Sequence, residues 1–161
     1  MENKCSEIIR ILKEKNNTIA FMESCTGGFL ANKITNISGA SEVLKVSLVT
    51  YSNEYKIKFG VDKNIIENYT VYSIETAKEM AKKISEFANS NIGVGVTGEL
   101  GNTKNKSPKV YYSIYLADED KYINKVLEIG KKEREFMKED VAIHVFSNIL
   151  GGIKWALLIQ N

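Results

Sequence analysis

A chain of 161 residues is enough for one domain with a real core and short for two. Its 22 basic and 20 acidic residues leave a net charge of +2, which gives no electrostatic case for nucleic acid, and 43% apolar with 26% charged residues is ordinary for a water-soluble domain. One histidine, His144, and two cysteines, Cys5 and Cys25, supply no metal-ligand spacing, so neither a metal nor a cofactor is expected.

The charged N-terminus lacks a secretory pattern and the cysteines are few, which points to a reducing, cytoplasmic compartment. Residues 2–15 place Ile8, Ile9, Ile11 and Leu12 on one face and charges on the other, predicting a helix. After the Asn16-Asn17 turn, residues 18–22 read as the first strand. A helix is expected over 26–35 and a loop carrying Gly39 over 36–41. Residues 46–51 read as a strand of the near-continuous apolar kind that is buried on both faces. Short helices are expected over 53–59, closed by Gly60, and over 63–69.

Ser73 caps a predicted helix over 74–88, with Ala77, Met80, Ala81, Ile84 and Ala88 as its buried stripe. A strand over 92–96 ends in Thr97-Gly98. Residues 102–108 form a polar loop, and strands 110–117 and 122–129 form a hairpin. From Lys131 onward the chain reads as one long helix. Its apolar stretch 141–159 contains His144, Ser147, Asn148, Gly151, Gly152 and Lys154, which suits a buried helix better than a membrane span. Strands alternating with helices, plus a hairpin, predict one α/β domain over 1–161, a three-layer α/β/α sandwich with a mixed sheet.

The first strand runs into Glu23-Ser24-Cys25-Thr26-Gly27-Gly28. A polar, glycine-bearing turn between strand and helix gathers hydroxyls and unpaired backbone N–H groups, and small phosphorylated ligands bind at such edges. With a single histidine, inside an apolar helix, neither a Cys–His pair nor a Ser–His–Asp triad is favoured. The other route to an activated serine is a lysine whose burial makes a neutral amine available. Gly39-Ala40-Ser41, followed by Thr50-Tyr51-Ser52-Asn53-Glu54-Tyr55-Lys56, suits that chemistry.

In order and spacing, Glu23 to Gly28, Gly39-Ala40-Ser41 and Val49 to Lys56 resemble successive signatures of the CinA C-terminal domain family. Ser73 with Ala77 and Met80-Ala81, then Val96-Thr97-Gly98, extend the match over the first two thirds of the chain. The chain looks like a stand-alone version of that domain. The resemblance implies an α/β/α fold and a metal-free nicotinamide-nucleotide amidase, which converts nicotinamide mononucleotide to nicotinic acid mononucleotide and ammonia. It implies Ser41 as nucleophile and Lys56 as base, with Tyr51 relaying the proton. Ser24, Thr26, Gly27, Gly39, Thr97 and Gly98 are then expected to bind the substrate. Arg134, or else Lys132 or Lys138, would replace the family's substrate-holding arginine.

Three departures accompany the resemblance. The family's Thr-Gly-Ile-Ala-Gly-Pro loop becomes Thr97-Gly98-Glu99-Leu100-Gly101-Asn102, adding a carboxylate where an anionic ligand is expected. Tyr72, Tyr111 and Tyr112 replace small residues near the expected pocket. The family's Gly-Asp-Arg turn becomes Gly130-Lys131-Lys132-Glu133-Arg134. Two further readings therefore stay open: a nucleotide-binding module without catalysis, and an amidase for a different small amide. The expected partners are a small nucleotide and a second copy of the chain, a dimer being favoured by the hairpin edge and the apolar last helix; nucleic acid and membrane are not expected.

Overall fold

A five-residue segment with every residue buried, β1 (Ile19–Glu23), apolar up to its last residue, needs cover on both faces and pairing on both sides, and the rest of the chain supplies them. The structure, a computed structural model, describes residues 1–101 and 107–159. β1 pairs in parallel with β2 (Leu44–Val49) on one side and β3 (Ile92–Gly98) on the other. β4 (Lys109–Leu116) runs antiparallel to β3, and β5 (Lys121–Glu128) antiparallel to β4. The sheet order is β2-β1-β3-β4-β5, the mixed sheet that the hairpin implies.

One face is covered by α1 (Glu2–Lys15), α2 (Phe29–Thr35) and α7 (Arg134–Ile159). Leu12, Leu30, Val145 and Phe146 from these helices pack with Phe21, Val94 and Ile114 of the sheet in one core. The other face is covered by α6 (Ile74–Ala88), whose Met80 and Ile84 pack on Ala20 and Met22. The Ser73 hydroxyl accepts the Thr76 N–H, the cap expected for this helix. Its backbone lies directly on β3. A Cβ at Gly95 would stand 2.3 Å from the Ala77 carbonyl oxygen, and one at Gly93 only 2.0 Å from that of Ala81. Three short helices complete the chain: α3 (Ala40–Val43), α4 (Asn53–Lys58) and α5 (Lys63–Tyr69).

α7 is long and apolar enough, by length and composition, to cross a membrane. Its buried residues, Val141, Ala142, Phe146 and Ile149 among them, instead pack against α1 and the sheet, as its polar interruptions imply.

Two expectations shift. β2 starts and ends two residues earlier than expected, and none of its residues is fully buried, because it is an edge strand rather than an inner one. The end of the expected 36–41 loop is the helix α3. Of the expected polar loop, residues 102–106 lie outside the described residues.

Candidate active site at the carboxyl edge of the sheet

β1, β2 and β3 are parallel, so all three hand the chain over at one edge. Ser24, Thr50 and Glu99 follow their strands there, the position where open α/β sheets bind ligands. Ser24 sits in a tight turn. Its N–H donates to the Val96 carbonyl at 2.9 Å, and its own carbonyl accepts the Gly27 N–H at 3.0 Å. Among the described residues, the N–H groups of Cys25 and Thr26 bond no backbone carbonyl; that of Cys25 bonds its own thiol, and Thr26 is fully buried.

After β2 the chain turns through Ser52, whose hydroxyl caps α4 by accepting the Tyr55 N–H. That start angle turns Lys56 inward, where it is 1% exposed. Its Nζ lies 3.0 Å from the Ser24 Oγ and 2.8 Å from the Thr50 carbonyl oxygen, to which it donates. Burial holds the Lys56 pKa below the ordinary lysine value, with Cys25 opposing weakly. An ammonium donates to both oxygens. The neutral amine keeps its hydrogen bond to Thr50 and presents a lone pair to the Ser24 proton. Two buried hydroxyls, of Thr26 two residues after Ser24 and of Thr50 whose carbonyl holds Lys56, have no hydrogen-bond partner among the described residues.

The adjacent Glu23 does different work. It is fully buried; one carboxylate oxygen accepts the N–H groups of Gly28 and Leu30, both at 3.1 Å, and the other that of Ala31 at 3.0 Å. The positive end of α2 is thereby filled by a carboxylate of the chain itself.

Ser24, Tyr51, Lys56, Tyr72, Thr97, Glu99 and Arg134 are among the residues that line a cavity of about 310 Å³. A second cavity of about 540 Å³ shares Leu100, Gly101 and Arg134 with it and continues past Lys131 and Lys132. Arg134, the first residue of α7, donates to the Tyr51 hydroxyl at 2.9 Å. Burial pushes the Cys25 thiol up to about 12, so it stays protonated and behaves as a packed side chain. His144 lies on the exposed side of α7, outside the cavity wall. Among the described residues no cluster of His, Cys, Asp or Glu could hold a metal ion.

The CinA C-terminal domain profile matches residues 1–151. The chain belongs to the CinA C-terminal domain family. A protein of Thermoanaerobacter sp. (strain X514), named as a competence-damage inducible protein, is 40% identical over 138 residues, 83% of this chain and 33% of that protein. A relative of the same name from Clostridium acetobutylicum is 49% identical over 106 residues, 63% of this chain and 26% of that protein. The chain thus spans about a third of the length of the curated relatives it matches. The competence or damage-inducible protein from Enterobacter asburiae has a TM-score of 0.86 at 20% identity, covering 94% of this chain and 97% of that one. A CinA superfamily protein from Escherichia coli gives 0.84 at 22% identity, covering 92% and 88%. These likenesses show the CinA fold.

Within this CinA domain the site residues expected from sequence divide sharply. Ser24, Tyr51, Lys56, Thr97, Gly98 and Arg134 come together around the cavity. Ser41 does not. It is exposed, in α3, at the amino end of β2, a strand whose six residues span roughly 16 Å at about 3.3 Å per residue. Gly39 lies at that same end, beside Lys13 of α1. The expected Ser41–Lys56 pair is therefore replaced by Ser24–Lys56, and Tyr51 bonds Arg134 rather than bridging serine and lysine. Thr26 and Gly27 form the turn but not the cavity wall, and the phosphate position expected at this helix N-terminus is taken by Glu23. Of the three tyrosines, only Tyr72 lines the cavity; Tyr112 is buried under α7, accepting a hydrogen bond from Asn148. Lys132 lines the outer cavity and pairs with Asp140, while Lys138 reaches behind Gly27. Asn53, part of the Val49 to Lys56 motif but given no role there, joins the wall because α4 starts there.

Proposed function

We propose that this CinA domain is an amidohydrolase that releases ammonia from nicotinamide mononucleotide, with Ser24 as nucleophile and Lys56 as its base. One observation carries the reading: a buried lysine with a lowered pKa whose amine lies 3.0 Å from a serine hydroxyl in a cavity. The neutral Lys56 amine takes the Ser24 proton as Oγ bonds to the amide carbon. The backbone N–H of Cys25, a residue on the cavity wall, is the candidate donor for the oxyanion, worth about 3–4 kcal/mol in such sites. Collapse breaks the C–N bond, and the Lys56 ammonium gives its proton to the departing ammonia. Water then attacks the Ser24 ester, Lys56 accepting its proton, and the carboxylate product leaves with Ser24 restored.

Among the described residues Arg134 is the lining cation besides Lys56, and it suits an anionic end of the substrate. The test is ammonia release from nicotinamide mononucleotide. Ser24→Ala is expected to lower it about 10³-fold or more, and Lys56→Ala about 10²-fold or more. Ser41→Ala is expected to leave it within about twofold, since surface changes away from the site cost little. Full turnover in Ser24→Ala, or no release by the unaltered protein, would overturn the reading.

A further inference from the structure

We propose that Glu99 is a specificity residue that makes this cavity select amides carried on a positively charged ring over neutral amides of the same shape. The proposal rests on the amidase reading above and names the substrate class within it. Glu99 stands immediately past β3, and its backbone is held by the sheet while its side chain is exposed. Its N–H donates to the Lys109 carbonyl at 2.9 Å, continuing the β3–β4 ladder, and the next residue, Leu100, is 1% exposed. Glu99 is one of the residues lining the cavity. Its Oε1 would be 3.7 Å from a Cβ on Gly101, which also lines the cavity.

The same wall carries two tyrosines that packing has left open. Tyr51 is 62% exposed and Tyr72 51% exposed. An aromatic face attracts a cation through its quadrupole, and a carboxylate attracts it directly; a neutral ring gains stacking alone. A cavity built only to hold an anion would gain nothing from a carboxylate in its wall. A ligand with a cationic ring at one end and an anionic group at the other satisfies Glu99 and Arg134 together. A nicotinamide ribonucleotide is such a ligand, its ring being a pyridinium. Hydrolysis turns the carboxamide into a carboxylate within this cavity, and Glu99 then opposes the product it helped to form.

The test compares two probes that differ in ring charge alone within this logic: nicotinamide mononucleotide, and its reduced dihydro form, which has a neutral ring and the same ribose phosphate. Calorimetric binding is measured in a Ser24→Ala background, so that turnover does not interfere. The charged ring is expected to bind about tenfold more tightly than the neutral one, the size of one partly solvated charge pair a few ångströms apart. Glu99→Gln is expected to bring the ratio within about twofold while leaving the neutral probe's affinity unchanged, and Glu99→Asp to retain part of the preference. A ratio unaffected by Glu99→Gln, or equal losses for both probes, would overturn the role of Glu99 alone. Failure of both probes to bind would overturn the pyridine-nucleotide reading and the proposal with it.

Discussion

Lys56 and Ser24, 32 residues apart in sequence, meet at 3.0 Å beyond the ends of two neighbouring strands. The contact places a titratable amine, 1% exposed, against a hydroxyl and a carbonyl, with no carboxylate partner of its own among the described residues. Burial without a counter-charge disfavours the ammonium, which is the physical reason for the lowered pKa.

A pH dependence of both rate and stability results. The neutral amine is the base, so kcat/KM should rise with pH through the folded-state pKa of Lys56 and level off below the usual lysine range. For stability, the unfolded chain binds this proton more tightly than the folded one. Stability from this group is therefore complete above the unfolded lysine pKa, falls as pH drops towards the folded pKa, and is flat below it. Lys56→Met should remove this dependence and raise the melting temperature at neutral pH. Thermal unfolding of both proteins between neutral and alkaline pH checks the sign; a lower melting temperature for Lys56→Met at neutral pH would contradict it.

Cys25 is next to Ser24 yet should be chemically silent. Burial pushes its thiol up to about 12, and it is 3% exposed. The folded protein should leave Cys25 unmodified by a thiol reagent at pH 8, and denaturant should release both cysteines to it. Cys25→Ala should keep activity within about fivefold, the loss coming from a small cavity rather than chemistry. Quantitative labelling of native Cys25 would show that the thiol is accessible and reopen it as a nucleophile.

Arg134 should control substrate affinity more than chemistry. It is held by the Tyr51 hydroxyl at 2.9 Å and lines both cavities. Arg134→Gln should raise KM about tenfold or more with kcat changed little, the loss of one charged hydrogen bond of about 1.5–3 kcal/mol. Arg134→Lys should restore little, because an ammonium does not reproduce the planar fork. Steady-state kinetics decide, and an equal fall in kcat with KM unchanged would move Arg134 into the chemical step.

The layers of this fold were legible because their signals are local. Ser73 with Ala77, Met80, Ala81 and Ile84 defines α6 within one stretch of sequence, and the apolar run before Glu23 defines β1. The membership of the site depended instead on strand direction. Lys56 follows the carboxyl end of β2, and in a parallel pair that end meets the carboxyl end of β1, where Ser24 is; Ser41 precedes β2 and is carried to the opposite edge. Glu23 as a helix cap was equally hidden, since its acceptor role requires α2 to fold back over the end of β1. The Arg134–Tyr51 contact joins residues 83 apart and had no local signature.

Glu23 should matter for stability although it is outside the proposed chemistry. Its carboxylate satisfies three backbone donors of α2 in a fully buried position. Glu23→Ala strands those donors and should cost about 3 kcal/mol, while Glu23→Gln keeps one acceptor oxygen and should cost less. Urea unfolding measures both, and equal losses would show that packing rather than hydrogen bonding is at stake.

Two glycine-to-alanine changes should move stability in opposite directions. At Gly95 a Cβ would sit 2.3 Å from the Ala77 carbonyl oxygen and 2.6 Å from the Ala81 nitrogen, both backbone atoms of α6 that cannot turn aside. Gly95→Ala must push the helix off the strand and should cost about 3 kcal/mol. At Gly151, inside α7, a Cβ meets nothing within 4 Å. Gly151→Ala removes backbone freedom from the unfolded chain without a clash and should stabilise by about 0.5–1 kcal/mol. Denaturant midpoints of the two variants read the difference directly, and a neutral Gly95→Ala would mean that α6 does not lie on β3 as closely as the backbone places it.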